Sequence, residues 1–139
     1  MDKLKVILII GLPCSGKTMF AKRLLEKNKG WTLIDDPKYF KKVEDVIWTA
    51  TEPVIISDPN FCLKEIRLSA IRKLKDIRNV DIDFVYFENN PQKCLRNFRC
   101  RELSGDDRNV LNTILLYSKK YTIPEGMEIM YIWQDDKRG

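Results

Sequence analysis

The chain has 139 residues, 25 of them basic and 20 acidic, for a net charge of +5. That length suits one domain with a core and is too short for two. With 44% hydrophobic and 32% charged residues, the composition reads as soluble and globular and excludes a disordered chain. Residues 4–10, LKVILII, predict a buried strand, continuous and β-branched, ended by Gly11. From Lys17 to Lys27 the pattern turns helical, with Phe20, Ala21, Leu24 and Leu25 on one face. WTLI (31–34) is a second, short strand, and 37–49 a helix with Pro37 suited to its first turn. PVIIS (53–57) is the third strand. Residues 62–77 form an amphipathic helix, with Leu63, Ile66, Ala70, Leu74 and Ile77 spaced by three or four. DIDFVYF (81–87) is the fourth strand, 91–102 and 107–121 are helices broken by SGD, and EIMYIW (128–133) is the fifth strand.

Strands separated by helices imply right-handed βαβ units. The expected fold class is α/β: a single domain over 1–139 with a five-stranded, mostly parallel sheet and helices on both faces. Ligands in such folds bind beyond the carboxyl ends of the strands, so the loops starting at Gly11, Asp35, Asp58 and Asn89 should gather there. No apolar run approaches the roughly 20 residues that span a bilayer. The opening MDKLKVILII lacks a small-residue cleavage site and leads directly into the glycines of the next motif. The expectation is a cytoplasmic protein with no membrane partner.

Cys14, Cys62, Cys94 and Cys100 form no CxxC pair, and the chain has no histidine. Structural zinc and a disulfide framework therefore have no support. Catalysis by Ser–His–Asp or Cys–His is excluded, and any general base must be a carboxylate or a bound water. The positive charge is compatible with nucleotides or nucleic acid, although a solvated basic surface has the same signature.

GLPCSGKT, residues 11–18, meets the phosphate-loop pattern GxxxxGK[ST] in full. Glycines let the backbone curl so that N–H groups converge on phosphate oxygens, and the following helix directs its positive end at the same anion. The expected ATP-binding residues are Gly11, Pro13, Cys14, Ser15, Gly16, Lys17 and Thr18. Lys17 would reach the β and γ phosphates, and the Thr18 hydroxyl would ligand magnesium. Cys14 is expected to be a passive loop position rather than a redox sensor.

Phosphoryl transfer also needs groups that orient the nucleophile and hold the metal. LIDDPK ends the second strand with Asp35 and Asp36. Asp36, immediately before Pro37, suits a helix cap, which leaves Asp35 as the candidate base for an acceptor hydroxyl. VIISDPNF ends the third strand with Asp58, placed to hold magnesium directly or through water, or else to form a turn. Asn60 is a substrate-positioning or turn residue. CLRNFRCRE carries Arg96, Arg99 and Arg101 on a helix whose other side is apolar. A lid over 91–108 would bring arginines to the transferring phosphate. The second basic stretch, 67–78, lacks interleaved aromatics and reads as the wet face of a helix.

Together GLPCSGKT, the Asp pair in LIDDPK, VIISDPN and NNPQKCLRNFRCRE resemble the P-loop kinase domain of the phage-type polynucleotide 5′-hydroxyl kinases, over roughly residues 4 to 120. The resemblance implies ATP-dependent transfer of the γ-phosphoryl group to a hydroxyl of DNA or RNA, at a 5′ end, with magnesium. Lys17 and Thr18 match the family's phosphate and magnesium residues, and Asp35 its general base. Lys38 stands where the family carries an arginine that contacts the acceptor's phosphate; lysine keeps the charge and loses the bidentate fork. Arg96 is carried over as an ATP contact. The family's lid arginine falls, counting from Arg96, on Cys100, with Arg99 and Arg101 on either side. The phosphatase domain that often accompanies this kinase has no counterpart in these residues. The alternatives are a nucleoside, nucleotide or hydroxymethylated-base acceptor, and, more remotely, a nucleotide-dependent switch that is not a kinase.

Overall fold

The first strand, β1 (Leu4–Ile10), is buried at every position except Lys5. A strand that is apolar on both faces needs cover on both faces, so it belongs in the middle of a parallel sheet. The computed structural model, which describes residues 3–101 and 107–133, places it there. After β1 the chain runs through α1 (Lys17–Lys27), β2 (Thr32–Asp35), α2 (Phe40–Thr49), β3 (Val54–Ser57) and a 3₁₀ turn (Pro59–Cys62). It continues with α3 (Lys64–Ile77), β4 (Val80–Phe87), α4 (Pro91–Cys100), α5 (Asp107–Ser118) and β5 (Ile129–Met130). The sheet order is β2-β3-β1-β4-β5, and all four pairings are parallel.

Neighbouring residues of a strand point to opposite faces. Phe87 meets Phe20 of α1 edge-to-face at 5.8 Å, while the adjacent Tyr86 lies under the Arg67 guanidinium of α3. So α1 covers one face and α3 the other. The core between them is aliphatic: Leu8, Ile9, Ile10, Ile55, Ile56, Ile47 and Leu74 have at most 1% of their surface exposed. Ser57 is level with Ile9 on one side and with Asp35 on the other, and Ile10 is level with Tyr86. The loops leaving β1, β2, β3 and β4 therefore emerge along one edge, as the α/β pattern requires.

Several boundaries move. The helix expected from Pro37 starts at Phe40, and its cap is Tyr39, which makes no side-chain capping bond. Asp36 is not a cap. Its φ is 48°, in the left-handed region, and its N–H donates to the Ser57 carbonyl at 2.7 Å. A residue before proline is kept out of the right-handed helical region, so the chain turns sharply here instead of winding up. The helix expected from 62 begins at Lys64, because residues 59–62 form the tighter 3₁₀ turn. The strand expected at 128–133 pairs only at Ile129 and Met130. The last helix stops at Ser118, and Tyr121 leaves it to donate its hydroxyl to the Phe87 carbonyl at 2.6 Å. The break expected at SGD, residues 104–106, lies outside the described residues. Among the described residues no helix is long and apolar enough to cross a membrane.

Candidate active site

The loop between β1 and α1 is fixed by close approaches. A Cβ on Gly11 would fall 2.8 Å from Ser15 Oγ and 2.9 Å from Phe87 Cβ, so only glycine fits without displacement. Gly16 takes φ 100° where α1 begins, and Cys14 takes φ 65°. For a cysteine that left-handed backbone costs about 1 kcal/mol or more, so the surroundings must hold it. The Leu12 carbonyl accepts from both Ser15 N–H at 3.2 Å and Lys17 Nζ at 2.8 Å. Lys17 is 7% exposed. Burial pushes its ammonium pKa down, and the nearby Asp35 carboxylate opposes the fall. Pro13 and Cys14 are half-buried, and Ser15 is fully buried.

Asn97, from α4, has no exposed surface. Its Nδ2 donates to the Cys14 carbonyl at 3.1 Å and to the Trp133 carbonyl at 2.6 Å. Two carbonyl acceptors leave no choice of which end of the amide faces them. Sequence reasoning passed over this residue as a site candidate. The available signal was its place one turn after Cys94, on the buried side of the helix.

On the other side of the loop, the Thr18 hydroxyl donates to Asp35 Oδ2 at 3.0 Å. The expected metal residue and the expected base thus meet directly. Asp58 is 8% exposed, and its Oδ1 accepts the Asn60 N–H at 2.9 Å, capping the 3₁₀ turn. Asn60 Oδ1 in turn accepts the Tyr117 hydroxyl at 2.6 Å, which ties the turn to α5. The turn role weighed against Asp58 is therefore real, and it leaves the second carboxylate oxygen for other work. Burial pushes the Asp58 pKa up to about 6; the Asn60 N–H and Lys17 oppose the rise, and Asp36 and Asp35 add to it.

A folded pKa near 6 against an unfolded value of 3.8 has a defined sign. The folded state holds this proton more tightly, so the contribution to stability is fully present below pH ~4 and is lost as pH rises through about 6. Asp58→Asn is expected to raise Tm by a few degrees at pH 7.5 and to leave it unchanged at pH 4. Thermal melts of both proteins at the two pH values check this. An equal shift at both would mean that burial of the charge is not the cause.

Oxygen donors crowd this corner: the Thr18 hydroxyl, the Asp35 and Asp58 carboxylates, and Ser57 Oγ, which is buried with no partner among the described residues. That all-oxygen set fits magnesium, which keeps waters and shares its shell with phosphates. Among the described residues no group of three His, Cys, Asp or Glu side chains could hold a metal unaided.

Two cavities flank these strand ends. One, about 300 Å³, is lined by Ser15, Gly16, Phe20, Phe87, Arg101, Tyr131 and Trp133. The other, about 390 Å³, has Ile56, Phe61 and Leu74 as apolar lining and Lys38, Asp58, Asn60, Glu65 and Lys73 as its polar groups. All three arginines are exposed; Arg101 lines the first cavity, whereas Arg96 and Arg99 line neither. Asn89, from the fourth loop, spends its side chain on the Ser118 and Tyr121 carbonyls and supports the site from behind.

No family model matches the chain. Solved structures that share its fold include two RNA-processing proteins. One is described as "Crystal Structure of Fungal RNA Kinase", with a TM-score of 0.68 and 15% identity, covering 99% of this chain and 79% of that one. The other belongs to the "Structure of the Pnkp1/Rnl/Hen1 RNA repair complex", with a TM-score of 0.62 and 18% identity over 92% of this chain; the match spans only 50% of that longer chain. The P-loop kinase-like α/β fold expected from the sequence is thus the fold observed. "Uncharacterized protein R277" of Acanthamoeba polyphaga mimivirus is 30% identical over 127 residues, 88% of this chain and 89% of its own. Similarity sustained along almost the whole of both sequences makes this chain a member of the same family as that mimivirus protein.

Proposed function

We propose that the protein is an ATP-dependent kinase that transfers the γ-phosphoryl group to a hydroxyl of a nucleic acid, with the 5′-hydroxyl of RNA or DNA as acceptor. The observation that carries this reading is the 3.0 Å bond between Thr18, on the phosphate loop, and Asp35, on the neighbouring strand end. A switch that only senses nucleotide needs no carboxylate at that point. The fold shared with an RNA kinase and a chain of an RNA repair complex favours a nucleic-acid acceptor.

The chemistry follows from the residues. Loop N–H groups and Lys17 bind the donor's phosphates. The acceptor oxygen attacks the γ phosphorus as the bond to the β,γ-bridging oxygen breaks, and ADP leaves. Thr18 occupies one oxygen of Asp35, and the other takes the hydroxyl proton. Lys38, on the lining of the larger cavity, holds the acceptor's phosphate. Arg101 binds the donor from the smaller cavity and neutralises charge on the moving group. Thr18 and Asp58 would hold magnesium, which would supply further neutralisation of phosphate charge.

Labelled γ-phosphate should pass from ATP to 5′-hydroxyl oligonucleotides and not to water alone. Release of labelled phosphate with no labelled acceptor would sink the kinase reading. The bounded cavity of about 390 Å³ favours a second reading, a nucleoside or nucleotide acceptor. Nucleosides, nucleotides and hydroxymethylated duplex in the same panel separate the two. Arg101→Ala is expected to lower kcat/KM for ATP by roughly tenfold to a hundredfold. Arg96→Ala and Arg99→Ala should each change it less than about threefold. The reverse ranking would move the donor contact to the exposed face of α4.

A further inference from the structure

α4 is fastened to the rest of the molecule before its arginines arrive. At its start, Glu88 Oε2 accepts Lys93 Nζ at 3.0 Å and Ile132 N–H at 2.8 Å, and Asn90 caps the helix by accepting Lys93 N–H at 3.1 Å. At its middle, Asn97 binds the Cys14 carbonyl of the phosphate loop and the Trp133 carbonyl beyond β5. Those carbonyls lie 83 and 36 residues away in sequence, and Asn97 bridges them. The Cys14 backbone is the strained, left-handed link of the loop, so it is the link most in need of an external hold. With both amide hydrogens donated to backbone carbonyls, the side chain fixes where that peptide points.

We propose that Asn97 is a positioning residue for the donor nucleotide: through the Cys14 carbonyl it holds the phosphate loop in its binding shape and locks the loop, α4 and the segment after β5 into one body. The proposal rests on the reading of that loop as the ATP site. One corollary concerns the expected lid over 91–108. Its first ten residues, Pro91–Cys100, belong to that body through Asn97.

The test is direct titration of the full chain with MgATP, followed by calorimetry, alongside titration with a 5′-hydroxyl oligonucleotide. Asn97→Asp keeps the shape, removes both donors and sets a carboxylate against two carbonyls. It should weaken MgATP binding by roughly tenfold to a hundredfold and leave oligonucleotide binding within about twofold. Asn97→Ser, with one donor, should fall between, and it carries the test alone if the aspartate variant does not fold. Turnover should show the same split, with KM for ATP raised and KM for the acceptor unchanged. Wild-type MgATP affinity in either variant overturns the proposal. So does equal weakening of both ligands with a lowered Tm, which marks a purely structural role. Lys17→Met in parallel isolates the premise: if it binds MgATP like wild type, the ATP-site reading fails rather than the assignment of Asn97.

Discussion

Lys17→Met is expected to lower phosphoryl transfer by about a thousandfold while raising the Tm of the nucleotide-free protein by a few degrees. The two halves have one cause. Burial holds the Lys17 ammonium pKa below its ordinary value, so keeping the charge costs folding free energy. The lysine stem packs within the loop, and methionine fills that space with nothing to desolvate. The same buried charge, facing phosphate in a site of low dielectric, stabilises the transferring group far more than it would in water. The sign with pH agrees: a depressed lysine pKa makes the wild type gain stability as pH rises, and the methionine variant lacks that slope. Label transfer and thermal melts of the purified variant decide the matter. A variant that is less stable and still active would remove Lys17 from the site.

The second large effect belongs to Asp35. Asp35→Asn should cut transfer by a factor of roughly 100 to 10,000 and leave MgATP affinity within about twofold. The substitution is conservative in geometry, since an amide oxygen still accepts the Thr18 hydroxyl bond seen at 3.0 Å. What it removes is the ability to take a proton. Asp36→Asn should cost little in turnover, because the structural role of residue 36 lies in its backbone, whose N–H binds the Ser57 carbonyl. A large loss at residue 36 with activity retained at residue 35 would exchange the two roles.

Asp35 was separated from Asp36 in sequence on the ground that Asp36 caps the next helix, and that ground fails. Helix α2 begins three residues after Pro37 and carries no side-chain cap. The proposal of Asp35 as the base rests instead on its bond with the Thr18 hydroxyl, which no local pattern encodes. The phosphate loop was legible because its spacing is dictated by backbone geometry around a phosphate, and Gly11 and Gly16 occupy positions where a side chain is crowded out or strained. Central strands were legible as apolar runs, since a doubly covered strand needs little else. Short edge features were not: β5 pairs at two residues, and its extent depends on where α4 and Glu88 draw the chain. Arg96, Arg99 and Arg101 look alike in sequence, yet of the three Arg101, past the end of α4, is the one that lines either of the two cavities at the strand ends. Asn97 and the Tyr117–Asn60 bond join segments that meet only in the finished fold, so neither their partners nor their purpose can be read from spacing.

The central position of β1 has a consequence for synthesis. Its residues Val6 and Leu4 pair with Val54 and Val80, partners that leave the ribosome long after they do. Every ladder in the sheet joins distant segments, the arrangement that folds slowly and exposes sticky strands meanwhile. The stretch KVILII is therefore the first apolar segment made, and it waits for β4 to cover its second edge. The loop of residues 11–18 follows its end, packed against Phe87 and bonded by Asn97. A nascent chain shorter than about 100 residues lacks the Asn97 hold on that loop, so the loop's shape and the covering of both β1 edges are completed late in synthesis.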